Sequence, residues 1–268
     1  MSAIDALLPR IGLARMPEAD LDGLRRLHQA FVGTVPYEAL AVQLGESEPL
    51  DADRLLARML RGGRGGYCFE VNTVLHALLV AAGFSVRRRQ ARVNDSDLTN
   101  HMALVVDLDG ERWLADAGLG EGPLDPIPLV DGGVTPGPLS WTVERLEGGW
   151  AVRQHEFGSI TSFVFGDEPS GLEAFQPHHR RLSRSPDSSF VQTLVVQRPH
   201  ADRIVTLRSR TLFVDGPGRR EREVLADVGA FASVLEAEFG IDPEALGGER
   251  LARLWSRACA QHSAFLAR

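Results

Sequence analysis

From Asp20 onward, the segment LDGLRRLHQAFV sets Leu24, Leu27, Phe31 and Val32 at helical spacing, with Asp20 in position to cap the helix. A second amphipathic run, DADRLLARML, starts behind Asp51 as its cap and is stopped by the glycines of RGGRGG. A third follows at once. Val71, Val74, Leu75, Leu78, Leu79 and Ala82 keep helical spacing between Tyr67 and Ala82, and Gly83 supplies the stop. Beyond Gly83 the period changes. FSVRRRQARV, HMALVVDL, ERWLADAG, GWAVRQHEFG, SSFVQTLVVQ and DRIVTLRSRTLFV are short β-rich runs between Gly, Pro or Asp-Gly turns, which predicts an antiparallel sheet or small barrel. Helical patterning returns in VGAFASVLEAEFG and ERLARLWSRACAQHSAFL, on either side of the turn-prone GIDPEALGG. The order is helical, then β, then mixed α/β. It predicts an α+β chain with units over residues 1–84, 85–190 and 191–268.

Composition narrows the function. The 268 residues are 44% apolar and 24% charged, ordinary for a globular protein in water. A formal charge of −7 offers no broad positive field to gather phosphates, which argues against nucleic acid as a partner. The start, MSAIDALLPRIGLARMPEADL, lacks the sustained apolar core of a secretion signal, and no stretch approaches a membrane span. A cytoplasmic location with no membrane partner is the expectation. Only Cys68 and Cys259 are present, too few for a disulfide framework in a chain of this size, so a reduced thiol at Cys68 is expected.

In GRGGYCFEVN, Cys68 sits where a glycine-rich turn feeds the first turn of a helix. Unpaired N–H groups and the positive end of the helix dipole there favour thiolate over thiol, which lowers the expected pKa. A nucleophilic cysteine also needs a base. The segment HMALVVDLDGERWLADAG reads as a hairpin about Asp109-Gly110 with Leu108 opposite Glu111. Counting back sets Ala103 opposite Asp116 and His101 opposite Gly118. His101 and Asp116 then share one face as diagonal neighbours. Asp116 can fix the imidazole tautomer while the other ring nitrogen takes the proton of Cys68. An odd-length loop would instead put them on opposite faces. His76, eight residues along the helix from Cys68, is two turns too far to serve. His178-His179 has no Cys or His partner at ligand spacing, so no metal site is predicted and the pair reads as a polar loop. Cys259 lies beside the apolar stripe Leu251, Leu254, Trp255, Ala258 and His262, where packing is its expected role.

RGGYCFEVN, NHMALVV and WLADAGLG, in that order, resemble the three triad segments of arylamine N-acetyltransferases of the bacterial type, a family whose relatives include amide synthases. The likeness extends to the N-terminal IGL, to LRRLHQAFVGTVPYEAL and to SPDSSFVQTLVVQRP, and is densest from Val35 to Pro128. The resemblance implies a cysteine-protease-like core of helical bundle, β-barrel and α/β lid. It implies Cys68 as acyl-accepting nucleophile, His101 as base and Asp116 as orienting carboxylate. Arg64 and Glu38 match a charged pair that braces the catalytic turn. Tyr37, Phe69, Val93, Leu119 and Phe190 match positions lining the acceptor pocket, and Gly118 and Gly120 match a loop near the acyl donor. The implied substrates are acetyl-CoA, with no tightly bound cofactor, and a small aromatic amine or hydrazine. The amide synthase alternative takes a carrier-bound acyl thioester to a macrolactam or amide. Three departures bear on the substrate: a shorter loop between Arg92 and His101, Leu119 in place of a common Phe, and FQPHHRRLSRSPDSSF before the Ser/Pro motif.

Overall fold

The computed structural model describes residues 3–267. The chain opens with helices α1 (Ala3–Arg10) and α2 (Leu21–Thr34), passes through a short strand β1 (Tyr37–Glu38), and continues as α3 (Leu40–Leu44), α4 (Ala52–Leu60) and α5 (Cys68–Ala81). Side-chain caps start two of these helices. Asp20 accepts from the Gly23 N–H and Asp51 from the Arg54 N–H. Helix α5 is buried from Cys68 to Leu75 on every face. It sits at the centre of a core in which Phe69, Val74 and Leu78 join Leu24, Leu27, Phe31, Leu55 and Met59.

Seven strands follow: β2 (Ser85–Val93), β3 (His101–Leu108), β4 (Glu111–Leu114), β5 (Ile127–Pro128), β6 (Thr142–Leu146), β7 (Gly149–Arg153) and β8 (Ser162–Gly166). They form one antiparallel sheet in the order β5-β4-β3-β2-β8-β7-β6. The two edge strands share a core, since Ile127 of β5 and Val143 of β6 lie in one apolar cluster with Ala103, Val105, Leu114 and Phe163. The sheet is therefore curled. Strand β3 is covered on both faces. Met102, Leu104 and Val106 meet the helical core, and Ala103 and Val105 meet the inside of the curl. That explains why HMALVV carries no polar alternation.

The remaining chain forms α6 (Gln176–Arg184), α7 (Ser189–Gln192), β9 (Val195–Pro199), β10 (Ile204–Arg208), β11 (Thr211–Gly216), β12 (Arg219–Val224), α8 (Val228–Phe239), α9 (Pro243–Leu246) and α10 (Gly248–Leu266). A five-stranded antiparallel sheet runs β1-β9-β10-β11-β12, with Tyr37 opposite Gln197 and Glu38 opposite Val196. Phe231, Leu235 and Phe239 of α8 and Leu254 and Ala258 of α10 cover Val196, Val205 and Leu207. Cys259 is half-buried beside that stripe.

Two sequence expectations are corrected. SSFVQTLVVQ is not one strand: Ser188 caps a helical turn by accepting from the Phe190 N–H, and pairing begins only at Val195. His178-His179 is not in a loop but in α6, a strongly polar helix whose buried positions are His179, Leu182 and Ser183. Its lack of apolar residues hides its period.

Candidate active site

The turn before Cys68 is held by two buried ion pairs. Arg64 Nε donates to Glu38 Oε1 at 2.8 Å, and the same carboxylate accepts the Leu40 N–H at 2.5 Å and the Gly65 N–H at 3.3 Å. Burial works to raise the Glu38 pKa, but Arg64 and Arg58 outweigh it and hold the carboxylate below its usual range. The second pair, Arg58 with Glu70 at 2.9 Å, was not singled out in the sequence. Arg58 also donates to Gly65 O at 3.0 Å, and Glu70 accepts the Tyr67 N–H at 3.2 Å. Removing one partner of such a pair leaves an uncompensated buried charge, which costs about 3–5 kcal/mol. These four charges clamp the glycine turn between β1 and α5.

The hairpin register agrees with the count from Asp109-Gly110. Leu108 pairs with Glu111 and Val105 with Leu114, and the turn residues adopt φ values of 52° and 83°. Beyond the paired ladder, the Ala115 N–H still bonds Leu104 O at 2.9 Å, which carries Asp116 to the end of β3 where His101 stands. His101 Nε2 donates to Asp116 Oδ2 at 2.6 Å, with both side chains buried. Asp116 Oδ1 accepts from Asn72 Nδ2 at 2.7 Å and from the Gly118 N–H at 2.8 Å. Burial opposes ionisation of Asp116, yet His101, Asn72 and Gly118 together keep its pKa below the usual carboxylate value.

Asn72 is the principal residue that the sequence reading missed. Its Nδ2 also donates to Met102 O at 2.6 Å, and its Oδ1 accepts the Ala117 N–H at 3.0 Å. One side chain thus ties α5, β3 and the loop after β4 together. The signal was available, because Cys68 and Asn72 are four residues apart and lie on one helix face.

Cys68 is 3% exposed. Burial pushes its thiol pKa up and the nearby Asp116 charge adds to this, whereas the backbone N–H groups of Phe69 and Cys68 pull the other way. The expected helix-start effect is present, but desolvation outweighs it; this corrects the expectation of a lowered pKa for the resting thiol. The thiol donates to Asn100 O at 3.5 Å. With Nε2 of His101 bonded to Asp116, Nδ1 is the ring nitrogen outside that bond.

Close approach explains the glycines. A Cβ on Gly118 would lie 2.9 Å from Cys68 Cα and 2.8 Å from Asn72 Nδ2, and one on Gly120 would lie 2.5 Å from Gln197 Oε1 and 2.9 Å from the Tyr37 ring. Gln197 in turn donates to the buried Glu121, which also accepts from Ser159 and Gln154. The loop from Asp116 to Glu121 is thereby fixed at both ends.

Among the other positions named from the sequence, Tyr37 and Phe190 face each other with ring centroids 6.4 Å apart, and Phe190 lies 4.9 Å from the Tyr67 ring. Burial raises the Tyr37 phenol pKa, with the adjacent Cys68 adding to it. Val93 stands where the loop after β2 begins, its backbone bonded to the Asn100 side chain. Phe69 is enclosed between Tyr67 and Phe175 in the helical core, and Leu119 is enclosed in the core of the curled sheet.

Chemistry through a cysteine nucleophile requires a thiol, an imidazole and a carboxylate, and here the Cys68 thiol bonds Asn100 O, the residue before His101 of the His101–Asp116 pair. A family model described as N-acetyltransferase matches residues 20–246. The arylamine N-acetyltransferase of Mycolicibacterium smegmatis is 31% identical over 261 residues, covering 90% of this chain and 92% of the relative. Proansamycin X synthase of Amycolatopsis mediterranei is 25% identical over 87% of this chain and 95% of its own length. Among solved structures, the arylamine N-acetyltransferase from Mycobacterium abscessus superposes with a TM-score of 0.86 at 29% identity, over 96% of this chain and 94% of that one. The Mycobacterium marinum enzyme in complex with CoA gives 0.85 at 26% identity, over 95% and 98%. The chain belongs to the arylamine N-acetyltransferase family, and is thus an acyltransferase with the family's cysteine-protease-like α+β fold.

Proposed function

We propose that the protein transfers an acetyl group from acetyl-CoA to an arylamine or hydrazine through a thioester on Cys68. The observation that carries this reading is the buried 2.6 Å contact between His101 and Asp116 beside a cysteine at a helix start. Asp116 holds Nε2 of the imidazole, so Nδ1 takes the thiol proton as Cys68 attacks the thioester carbonyl. Because burial disfavours a free thiolate, proton transfer to His101 accompanies attack, and the imidazolium so formed is stabilised by Asp116. The tetrahedral oxyanion is met by backbone N–H groups at the start of α5, the Cys68 N–H among them. Collapse expels the CoA thiolate, which His101 protonates, and an acetyl-enzyme remains.

An amine then attacks the Cys68 thioester, His101 removes its proton, and collapse returns the cysteine. Acetyl-CoA is a co-substrate, consumed in the first half-reaction, and no tightly bound cofactor enters. CoA in the Mycobacterium marinum structure supports this donor. The near-complete burial of Cys68 keeps water from the thioester, which favours transfer over hydrolysis. Among the described residues no helix is long and apolar enough to cross a membrane, and a cytoplasmic location suits a chemistry that needs a reduced thiol. Intact-protein mass spectrometry tests the reading: acetyl-CoA should add one acetyl group to Cys68, and an arylamine should remove it. Acetylation that survives every amine, or falls elsewhere, overturns it.

A second reading keeps the acyl-enzyme and changes both substrates. Similarity to Proansamycin X synthase over 87% of the chain favours a carrier-bound acyl thioester as donor, closed to a macrolactam or amide. Under it, acetyl-CoA leaves Cys68 unmodified near neutral pH, whereas longer pantetheine-type thioesters load it.

A further inference from the structure

The helical turn that carries Phe190 is finished by side chains from two other helices. Helix α7 stops at Gln192, and the bond that would extend it runs from the Leu194 N–H to Phe190 O. Both halves of that bond go elsewhere. The Leu194 N–H donates to Gln261 Oε1 of α10 at 2.8 Å, and Phe190 O accepts from Gln43 Nε2 of α3 at 2.6 Å. Gln43 Nε2 also donates to Val191 O at 3.2 Å. Its Oε1 accepts from Gln261 Nε2 at 2.8 Å and from Arg257 Nε at 3.1 Å. Gln43 is fully buried, so α3, α7 and α10 meet at one enclosed amide that is engaged at both ends.

Phe190 itself is half-buried, with its ring 4.9 Å from that of Tyr67 and 6.4 Å from that of Tyr37. Tyr67 is the residue before Cys68, and the Tyr37 ring borders Gly120. Phe190 packs on the core to which Tyr37, Tyr67 and Cys68 belong. The segment under it is weak. Helix α7 is a single turn with no buried residue, and a turn this short does not hold its shape by its own bonds. The aim of the Phe190 ring therefore depends on the two glutamines that take the bonds its own backbone leaves open.

We propose that Gln43 and Gln261 form a positioning pair through which α10 holds the Phe190 ring, and that this pair sets how strongly aromatic acceptors are preferred to a ringless one. This rests on the acetyl-transfer reading above. An acceptor ring set edge-on or offset against Phe190 gains about two- to tenfold in affinity, and the gain depends on the angle between the rings. Hydrazine has no ring and gains none. Releasing Phe190 O and Val191 O from Gln43 lets the Phe190 ring tilt, which removes the aromatic advantage while Cys68, His101 and Asp116 keep their own partners.

The test compares kcat/KM for 4-methoxyaniline with that for hydrazine, after mass spectrometry has established the acetyl-enzyme. Gln43→Glu keeps an acceptor for Arg257 and Gln261 but gives Phe190 O and Val191 O no N–H, and Gln261→Ala frees the Leu194 N–H. In each the ratio should fall about threefold to tenfold, mainly through KM for the aromatic amine. Arg253→Gln is the control. Its Nη2 bonds Leu44 O at 2.8 Å, so this change loosens α10 on α3 without touching Gln43, and the ratio should stay within about twofold of the parent. If Gln43→Glu does not fold, Gln261→Ala decides. A ratio unchanged in the folded variants, an equal loss for both acceptors, or a like fall in Arg253→Gln overturns the assignment, and the glutamines then serve the docking of α10 alone. Absence of any acetyl-enzyme overturns the transfer reading itself, and this assignment with it.

Discussion

Replacing Asn72 by alanine removes one buried amide that serves three partners. Met102 O and Asp116 Oδ1 lose a donor, and the Ala117 N–H loses its acceptor, at 2.6, 2.7 and 3.0 Å respectively. Each partner left unsatisfied in a dry site costs about 1–3 kcal/mol. The three losses do not simply add, because Asp116 Oδ1 retains the Gly118 N–H at 2.8 Å and a backbone carbonyl has a second lone pair. Ala117 N–H is the group left with no substitute. A net destabilisation of about 2–4 kcal/mol follows, which for a chain of this length lowers Tm by roughly 5–15 °C. The functional loss is expected to exceed the stability loss in its specificity. Asp116 freed on one side can swing, and under the proposed mechanism a misplacement of about 1 Å there can cost on the order of 100-fold. Thermal unfolding and single-turnover acetylation of Cys68, both measured well below the variant's Tm, give the two numbers separately. Asn72→Ala with a Tm within about 1 °C of the parent, or with an acetylation rate within about threefold, refutes the bracing role.

Cys68→Ser should abolish acetylation while Cys259→Ala, half-buried beside the α10 stripe, should retain it; equal loss in both would remove Cys68 from the role of nucleophile. Because burial disfavours a free Cys68 thiolate and the proposed mechanism makes His101 its base, alkylation of Cys68 by iodoacetamide at neutral pH should slow about tenfold or more in His101→Gln, and an unchanged rate would show that the thiol ionises unaided. The depressed pKa of Asp116 stabilises the fold above the unfolded value, about pH 4, and that stability disappears as pH falls through the folded value. Urea denaturation of the parent and Asp116→Asn from pH 6 down to about pH 2 should therefore show a stability gap that closes toward acid; a gap constant with pH would mean that Asp116 is not held ionised by its partners.

Much of this site was legible because its geometry is set by short-range rules. The two-residue Asp109-Gly110 turn fixes which residues of β3 and β4 face one another, so the meeting of His101 with Asp116 followed from counting in pairs. The helices capped by Asp20 and Asp51 were read from their first residues. What escaped depends on distant packing. Helix α6 carries too few apolar residues to display a period, and it is held in part by His179 reaching Tyr67, a partner 112 residues away. The Cys68 thiol shows the same limit in electrostatic form. Its helix-start N–H groups act in the direction read from the sequence, but the degree of burial is a property of the assembled cores and decides the sign.

Strand β1 gives the fold an order of assembly. Its partner is β9, so Tyr37 and Glu38 find their sheet only across separations of 160 and 158 residues, and Arg198 fastens to Gly33 O at 2.9 Å. Since Glu38 is also the anchor of Arg64 and Gly65, the turn that presents Cys68 gains its last support from a strand made long after it. Cys68 itself is buried among the helices and β3, whereas the strand that carries Glu38 is paired into its sheet only through residues 195–199. Contacts this distant in sequence make late, slow steps. The turn before Cys68 is thus coupled to completion of the chain: a chain stopped before β9 holds Arg64 and Glu38 but lacks the strand that fixes where Glu38 lies.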